Sequence, residues 1–143
     1  MVTLLALFLA SGAAAQPADV RSDLKKMEGT WSIASLERDG EVLDPSKFRD
    51  QLVTIQGDRY VVKKGGMAVE SGLYRLDPRQ SPKAMEIRPT SGPYAGRVLL
   101  GIYQITEDER AVCYSLPGKP RPKVFKTTPN GGEILVIYKR VKN

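Results

Sequence analysis

The sequence predicts an all-β fold, an eight-stranded antiparallel up-and-down barrel with a short N-terminal helix. Three observations lead there. Short apolar runs, several of them alternating with polar residues, recur along most of the chain. Turn dipeptides punctuate them at short intervals, among them Asp39-Gly40, Gly57-Asp58, Gly65-Gly66 and Asp77-Pro78. After the first stretch, no long helical periodicity separates one strand from the next. Eight hairpin-connected strands can close on themselves and leave no open edge, and the consecutive hairpins favour this over the competing β-sandwich.

The first fifteen residues differ in kind from the rest. Met1–Ala15 has no charged side chain and centres on Leu4-Leu5-Ala6-Leu7-Phe8-Leu9-Ala10, a run too short to cross a bilayer. Ala13 and Ala15 supply an A-x-A cleavage pattern, so the expectation is a signal peptide over 1–15, removed to leave Gln16 leading a single barrel domain over 16–143. Met1-Val2-Thr3 holds no Lys or Arg; either the free amine suffices or the true start lies upstream.

Asp19 to Met27 reads as the helix, with Ser22 or Asp23 as its cap and Val20, Leu24 and Met27 at helical spacing. Strands are then expected from Trp31 to Arg38, Leu52 to Gln56, Tyr60 to Lys64 and Met67 to Leu76. They continue at Lys83 to Arg88, Arg97 to Thr106, Ala111 to Leu116 and Glu133 to Val141. Pro45 to Asp50 suggests a brief helical turn and Pro89 to Gly96 a loop. Val124-Phe125-Lys126 is an irregular candidate for a ninth strand. In the strand from Arg97 to Thr106 both faces are largely apolar: Leu99, Gly101, Tyr103 and Ile105 share one, Val98, Leu100, Ile102 and Gln104 the other. Alternation leaves the inward set open.

Composition narrows the chemistry. The 143 residues include no His and a single Cys. That removes the common ligand sets for zinc, copper and haem and every nucleophile scheme that needs an imidazole base. No metal site, cofactor or catalytic residue is assigned, and the expected function is not enzymatic. Glu70 and Glu86 are the acid/base pair weighed against this reading. The net charge is +6, and its excess gathers late, in Lys119, Arg121, Lys123, Lys126, Lys139, Arg140 and Lys142 against Glu133. No aromatic interleaving accompanies that cluster, so a solvated surface is preferred and no nucleic-acid partner is expected.

At Gly29-Thr30-Trp31, just after the helix, the sequence resembles the lipocalin and calycin signature. The resemblance implies that Gly29 and Trp31 sit at the barrel base and that a basic residue near the last strand, here Arg140, packs over the indole. A planar guanidinium can stack on the ring while donating to exposed backbone carbonyls. The wider pattern resembles a narrower group, an uncharacterised planctomycete-type secreted domain family with a lipocalin-like fold. Leu24 to Trp31, Glu37 to Gly40, Ser81-Pro82-Lys83, Gly101-Ile102-Tyr103 and Arg121-Pro122 with Phe125 carry it. It implies an extracytoplasmic domain, secreted or periplasmic, with no known activity. The T-D-Y motif of lipocalins is absent, and Thr106-Glu107-Asp108 is only a loose echo of it.

Two functions follow as expectations. In the first, the barrel binds a small apolar or amphipathic molecule, acting as a monomer without a transmembrane segment. Its ligand-binding residues are Tyr74, Tyr103 and Arg121, two phenols that offer hydrogen bonds and a guanidinium at the mouth that favours an anionic headgroup. Gly101 then opens space inside. In the second, the barrel is filled by its own side chains, and the domain uses its basic C-terminal surface to meet an anionic partner. Tyr114 and Tyr138 are further cavity candidates; Arg75 and Arg88 read as surface residues. Cys113 reads as a small buried apolar residue.

Overall fold

The chain's computed structural model describes residues 16–142. The expected signal segment, Met1–Ala15, lies outside them. One helix, α1 (Ala18–Met27), leads into β1 (Gly29–Arg38), β2 (Glu41–Val42), β3 (Gln51–Gln56), β4 (Arg59–Lys64) and β5 (Met67–Asp77). β6 (Ala84–Ser91), β7 (Leu99–Ile105), β8 (Glu109–Ser115) and β9 (Glu133–Arg140) complete the sheet. Each strand from β3 to β9 pairs antiparallel with the next, and β1 pairs with both β3 and β9. The result is a closed eight-stranded antiparallel barrel with one extra strand, β2, which folds back on Glu37 and Arg38. Closure depends on the length of β1: its start holds Leu52 to Ile55 of β3, while Trp31 to Arg38 hold β9 across a bulge between Ile33 and Ser35.

Three sequence expectations change. Val124-Phe125-Lys126 forms no strand. The extra strand is β2 instead, because Asp39-Gly40 turns the chain back on β1. The helical turn after Pro45 is a 3-10 turn of Pro45–Lys47, and Asp44 accepts from the Ser46 amide at its start. Ser22 and Asp23 do not cap α1, whose N-cap is Pro17; Asp23 instead faces the barrel and is buried.

The barrel encloses a core of Trp31, Val53, Ile55, Tyr60, Tyr74, Leu76, Met85, Ile87, Leu99, Tyr103 and Val112. Leu24 and Met27 of α1 join it. Their helical spacing is what lets α1 act as a lid over one end. The open question at β7 is thereby answered: Leu99 and Tyr103 point inward.

Ile102, on the opposite face, is nevertheless only 1% exposed. Residues 116–132 cross the outside of the barrel as a second layer over the register-matched row of Ala84, Ile102 and Cys113, all buried. Polar stitches hold the layer. Ser115 donates to the Pro120 carbonyl at 2.6 Å, Thr127 accepts from the Gly40 amide at 2.9 Å, and Cys113 lies 3.7 Å from the Lys126 carbonyl. No helix among the described residues is long and apolar enough to cross a membrane.

Candidate functional site

One end of the barrel is closed and densely bonded. The Trp31 ring is fully buried, and its Nε1 donates to the Met27 carbonyl at 2.8 Å, tying the last turn of α1 to β1. Arg140 lies 4.3 Å above the ring. Its three nitrogens donate to the carbonyls of Glu107, Glu28 and Lys26 at 2.6, 2.5 and 2.6 Å. These carbonyls belong to the end of α1 and the β7–β8 turn, so one side chain clamps the base of the barrel. Gly29 is required beneath it: φ is +123°, and a Cβ there would stand 2.6 Å from Arg140 Nη1.

Tyr103 belongs to this closed end and does not line the cavity described below. Its hydroxyl donates to Asp23 Oδ2 at 2.7 Å, and Lys83 Nζ reaches the same oxygen at 2.9 Å. Burial alone would raise the Asp23 pKa, but the hydrogen bonds from Lys83 and Tyr103 outweigh it and the carboxyl is held below its ordinary value. Burial, then the Asp23 carboxylate, push the Tyr103 phenol up, so it stays protonated and a donor.

Arg121 also differs from expectation. It sits in the outer layer and does not guard the mouth. Its Nη1 donates to the paired residues Met85 and Gly101, at carbonyl distances of 2.5 and 2.6 Å, pinning residues 116–132 to β6 and β7. Gly101 opens no cavity, because a Cβ would come within 3.0 Å of the Cys113 carbonyl and 3.1 Å of Tyr114 Cβ. Its small size serves close packing of strands. The late basic cluster is likewise partly committed: Arg121 and Arg140 bond backbone carbonyls, and Lys142 pairs with Asp108 at 3.2 Å.

The other half of the barrel encloses a cavity of about 320 Å³. Ile33, Val62, Ile87, Leu99 and Val136 give it apolar walls, and Tyr60, Tyr74, Tyr94, Tyr114, Tyr138 and Glu70 give it polar points. Its volume is near the lower end of the range for small-molecule sites, and its mixture of apolar walls with a few polar groups is typical of them. Of the three expected ligand residues, only Tyr74 lines it.

Tyr74 stacks on Tyr60 with centroids 4.6 Å apart and planes inclined by 14°. Tyr60 in turn donates to Glu70 Oε2 at 3.0 Å. Burial raises the Glu70 pKa, with the Tyr60 hydrogen bond partly offsetting it. The two carboxylates weighed as a catalytic pair are apart. Glu70 faces the cavity, while Glu86 lies on the outer face of β6 and pairs with Arg88 at 2.7 Å.

Beneath Tyr74 and Tyr138 lies Arg110, which sequence reasoning passed over. It is 1% exposed, and its guanidinium carbon stands 4.0 Å from the Tyr138 ring centroid, 5.3 Å from that of Trp31 and 5.8 Å from that of Tyr74. Nη1 makes one long hydrogen bond, 3.5 Å, to the Tyr74 hydroxyl. Nε and Nη2 have no hydrogen-bond partner among the described residues. The available signal was alternation. Arg110, Val112 and Tyr114 share a phase, but a strand that starts at Ala111 leaves Arg110 outside it. No family model, curated protein or solved structure matches the chain.

Proposed function

We propose that this chain is a non-catalytic binding barrel that takes one small apolar or amphipathic molecule into its open half and acts outside the cytoplasm as a monomer. The cavity of about 320 Å³ with its aliphatic walls and tyrosine hydroxyls carries the reading. Met1–Ala15, with its apolar run and A-x-A pattern, supports export. The resemblance to secreted lipocalin-like domains points the same way. The filled-barrel alternative draws on the closed half, where side chains occupy the interior, but it gives no account of the tyrosine-lined space above.

The test is titration with an environment-sensitive fluorescent fatty-acid analogue, comparing wild type with Val62→Trp, which places a large side chain in the cavity wall. Saturable binding by wild type, weakened about tenfold or more in a variant that unfolds at a similar urea concentration, is the expected result. Absence of saturable binding by wild type, or equal binding by both, would return the domain to the filled-barrel reading.

A further inference from the structure

We infer that Arg110 is an anion-binding group at the inner end of this cavity, and that the ligand class is a small carboxylate-bearing amphiphile held with its carboxylate toward Arg110 and Tyr74. The inference rests on the binding reading and specifies its chemistry.

The barrel contains its own controls. Besides Arg110, two guanidiniums bond backbone carbonyls distant in the chain, and both have evident structural work. Arg140 places all three of its nitrogens on backbone carbonyls, and Arg121 bonds two carbonyls through one nitrogen; every one of these contacts is 2.5 or 2.6 Å. Arg110 is the most deeply buried of the three and the least bonded. A guanidinium carries five N–H donors, and the only hydrogen bond the Arg110 side chain makes among the described residues is the long one to Tyr74.

Nor does a carboxylate neutralise it. The ion pairs among the described residues join Asp23 to Lys26 and Lys83, Asp77 to Arg79, Glu86 to Arg88 and Asp108 to Lys142. Glu70, the carboxylate of the cavity, is bonded by Tyr60 instead. Three aromatic rings surround the guanidinium, but ring faces attract a buried cation less strongly than its lost hydration costs. Buried charges are ordinarily paired. The partner that fits is therefore an anion, and the cavity is the space that two of the surrounding rings also line. Tyr74 and Tyr138 line the cavity, and their ring centroids stand 5.8 and 4.0 Å from the guanidinium carbon, which sets Arg110 next to the cavity's inner wall.

Tyr74 is the connecting group. Its hydroxyl oxygen accepts from Arg110, which leaves its proton free to donate to a ligand. One guanidinium fork and one phenol suit the two oxygens of a carboxylate. The aliphatic walls toward the mouth, Val62, Leu99 and Val136, suit an apolar body attached to it.

Isothermal titration calorimetry of the protein with octanoate and with 1-octanol at neutral pH tests this. Wild type should bind octanoate about tenfold or more tightly than octanol. Arg110→Met should bring octanoate down to the octanol level and leave octanol binding in place. Ligand-free Arg110→Met should unfold at a urea concentration no lower than wild type, because an unpaired buried charge has been replaced by an apolar group of similar length.

Equal wild-type affinities for the acid and the alcohol would overturn the inference while leaving the cavity reading intact; binding of neither would overturn both. A markedly less stable ligand-free Arg110→Met would also overturn it, by showing that the rings alone satisfy the charge. If that variant does not fold at all, the wild-type ratio of the two affinities decides.

Discussion

The two ends of the barrel are built from the same residue types and treat them in opposite ways. At the closed end a tyrosine, an arginine and a carboxylate each meet their partners: Tyr103 and Lys83 converge on Asp23, and Arg140 spans three carbonyls above Trp31. At the open end the same three types meet again, and the arginine leaves capacity unused. Arg110 has two nitrogens without partners among the described residues, and Tyr60 and Glu70 satisfy each other beside an unfilled space. Polar groups whose bonds are all made within the chain rigidify and specify a fold, while those left short of partners mark where something else is expected. The contrast separates the part of the barrel that holds it together from the part that holds the cavity.

The largest expected effect lies at the closed end. Trp31→Ala removes a fully buried ring, its bond to Met27 and the platform beneath Arg140, and should cost about 3–5 kcal/mol in urea unfolding. A loss below about 1 kcal/mol would erase the distinction between the ends, since such values belong to exposed positions.

Tyr103→Phe should cost less, about 1.5–3 kcal/mol, by removing one hydrogen bond to a buried carboxylate that keeps Lys83. It should leave binding of the fluorescent fatty-acid analogue unchanged, because Tyr103 is not a cavity residue. Weakened binding in a folded Tyr103→Phe protein would instead couple the two ends.

The smallest effect sharpens the comparison through pH. Asp23 is held below its ordinary value, so its stabilisation is complete above the unfolded-state pKa and is lost as pH falls through the folded one. Glu70 is held above its ordinary value, so its contribution runs the other way. Folding binds its proton more tightly, and stability falls as pH rises from the unfolded value toward the folded one. Stability measured against pH should therefore lose part of its acid-side decline in Asp23→Asn and part of its decline above the ordinary glutamate range in Glu70→Gln. Identical profiles for the two variants would remove the electrostatic difference between the ends.

Much of the barrel was legible because turn chemistry and alternation are local. Gly57-Asp58 joins β3 to β4 as read, and Met85 and Ile87 face inward opposite Glu86 and Arg88. The resemblance at Gly29-Thr30-Trp31 points to Arg140 as the basic residue over the indole, and the contacts of Gly29, Trp31 and Arg140 meet at the base. The candidate ligand site was much less legible. Tyr74 was named and lines the cavity, whereas Tyr103 and Arg121 were named and do not. Tyr74 and Tyr103 both lie within strands, and nothing local distinguishes a phenol above the floor from one beneath it; Arg121 lies in the segment 116–132, whose path over the barrel is set by distant carbonyls.

The sequence by itself determined the strands, their turns, the helical spacing that makes α1 a lid and the inward phase of the strands that alternate cleanly. Only the tertiary structure decided the inward face of β7, because residues 116–132 cover its outer side and make both faces apolar for different reasons. It alone assigned the arginines: Arg121 reaches carbonyls 36 and 20 residues away in sequence, Arg140 reaches past 100, and Arg110 reaches almost nothing. A hydrogen bond depends on where its acceptor lies in space. For a long charged side chain in a closed barrel, that is fixed by strands distant in the chain and not by its neighbours.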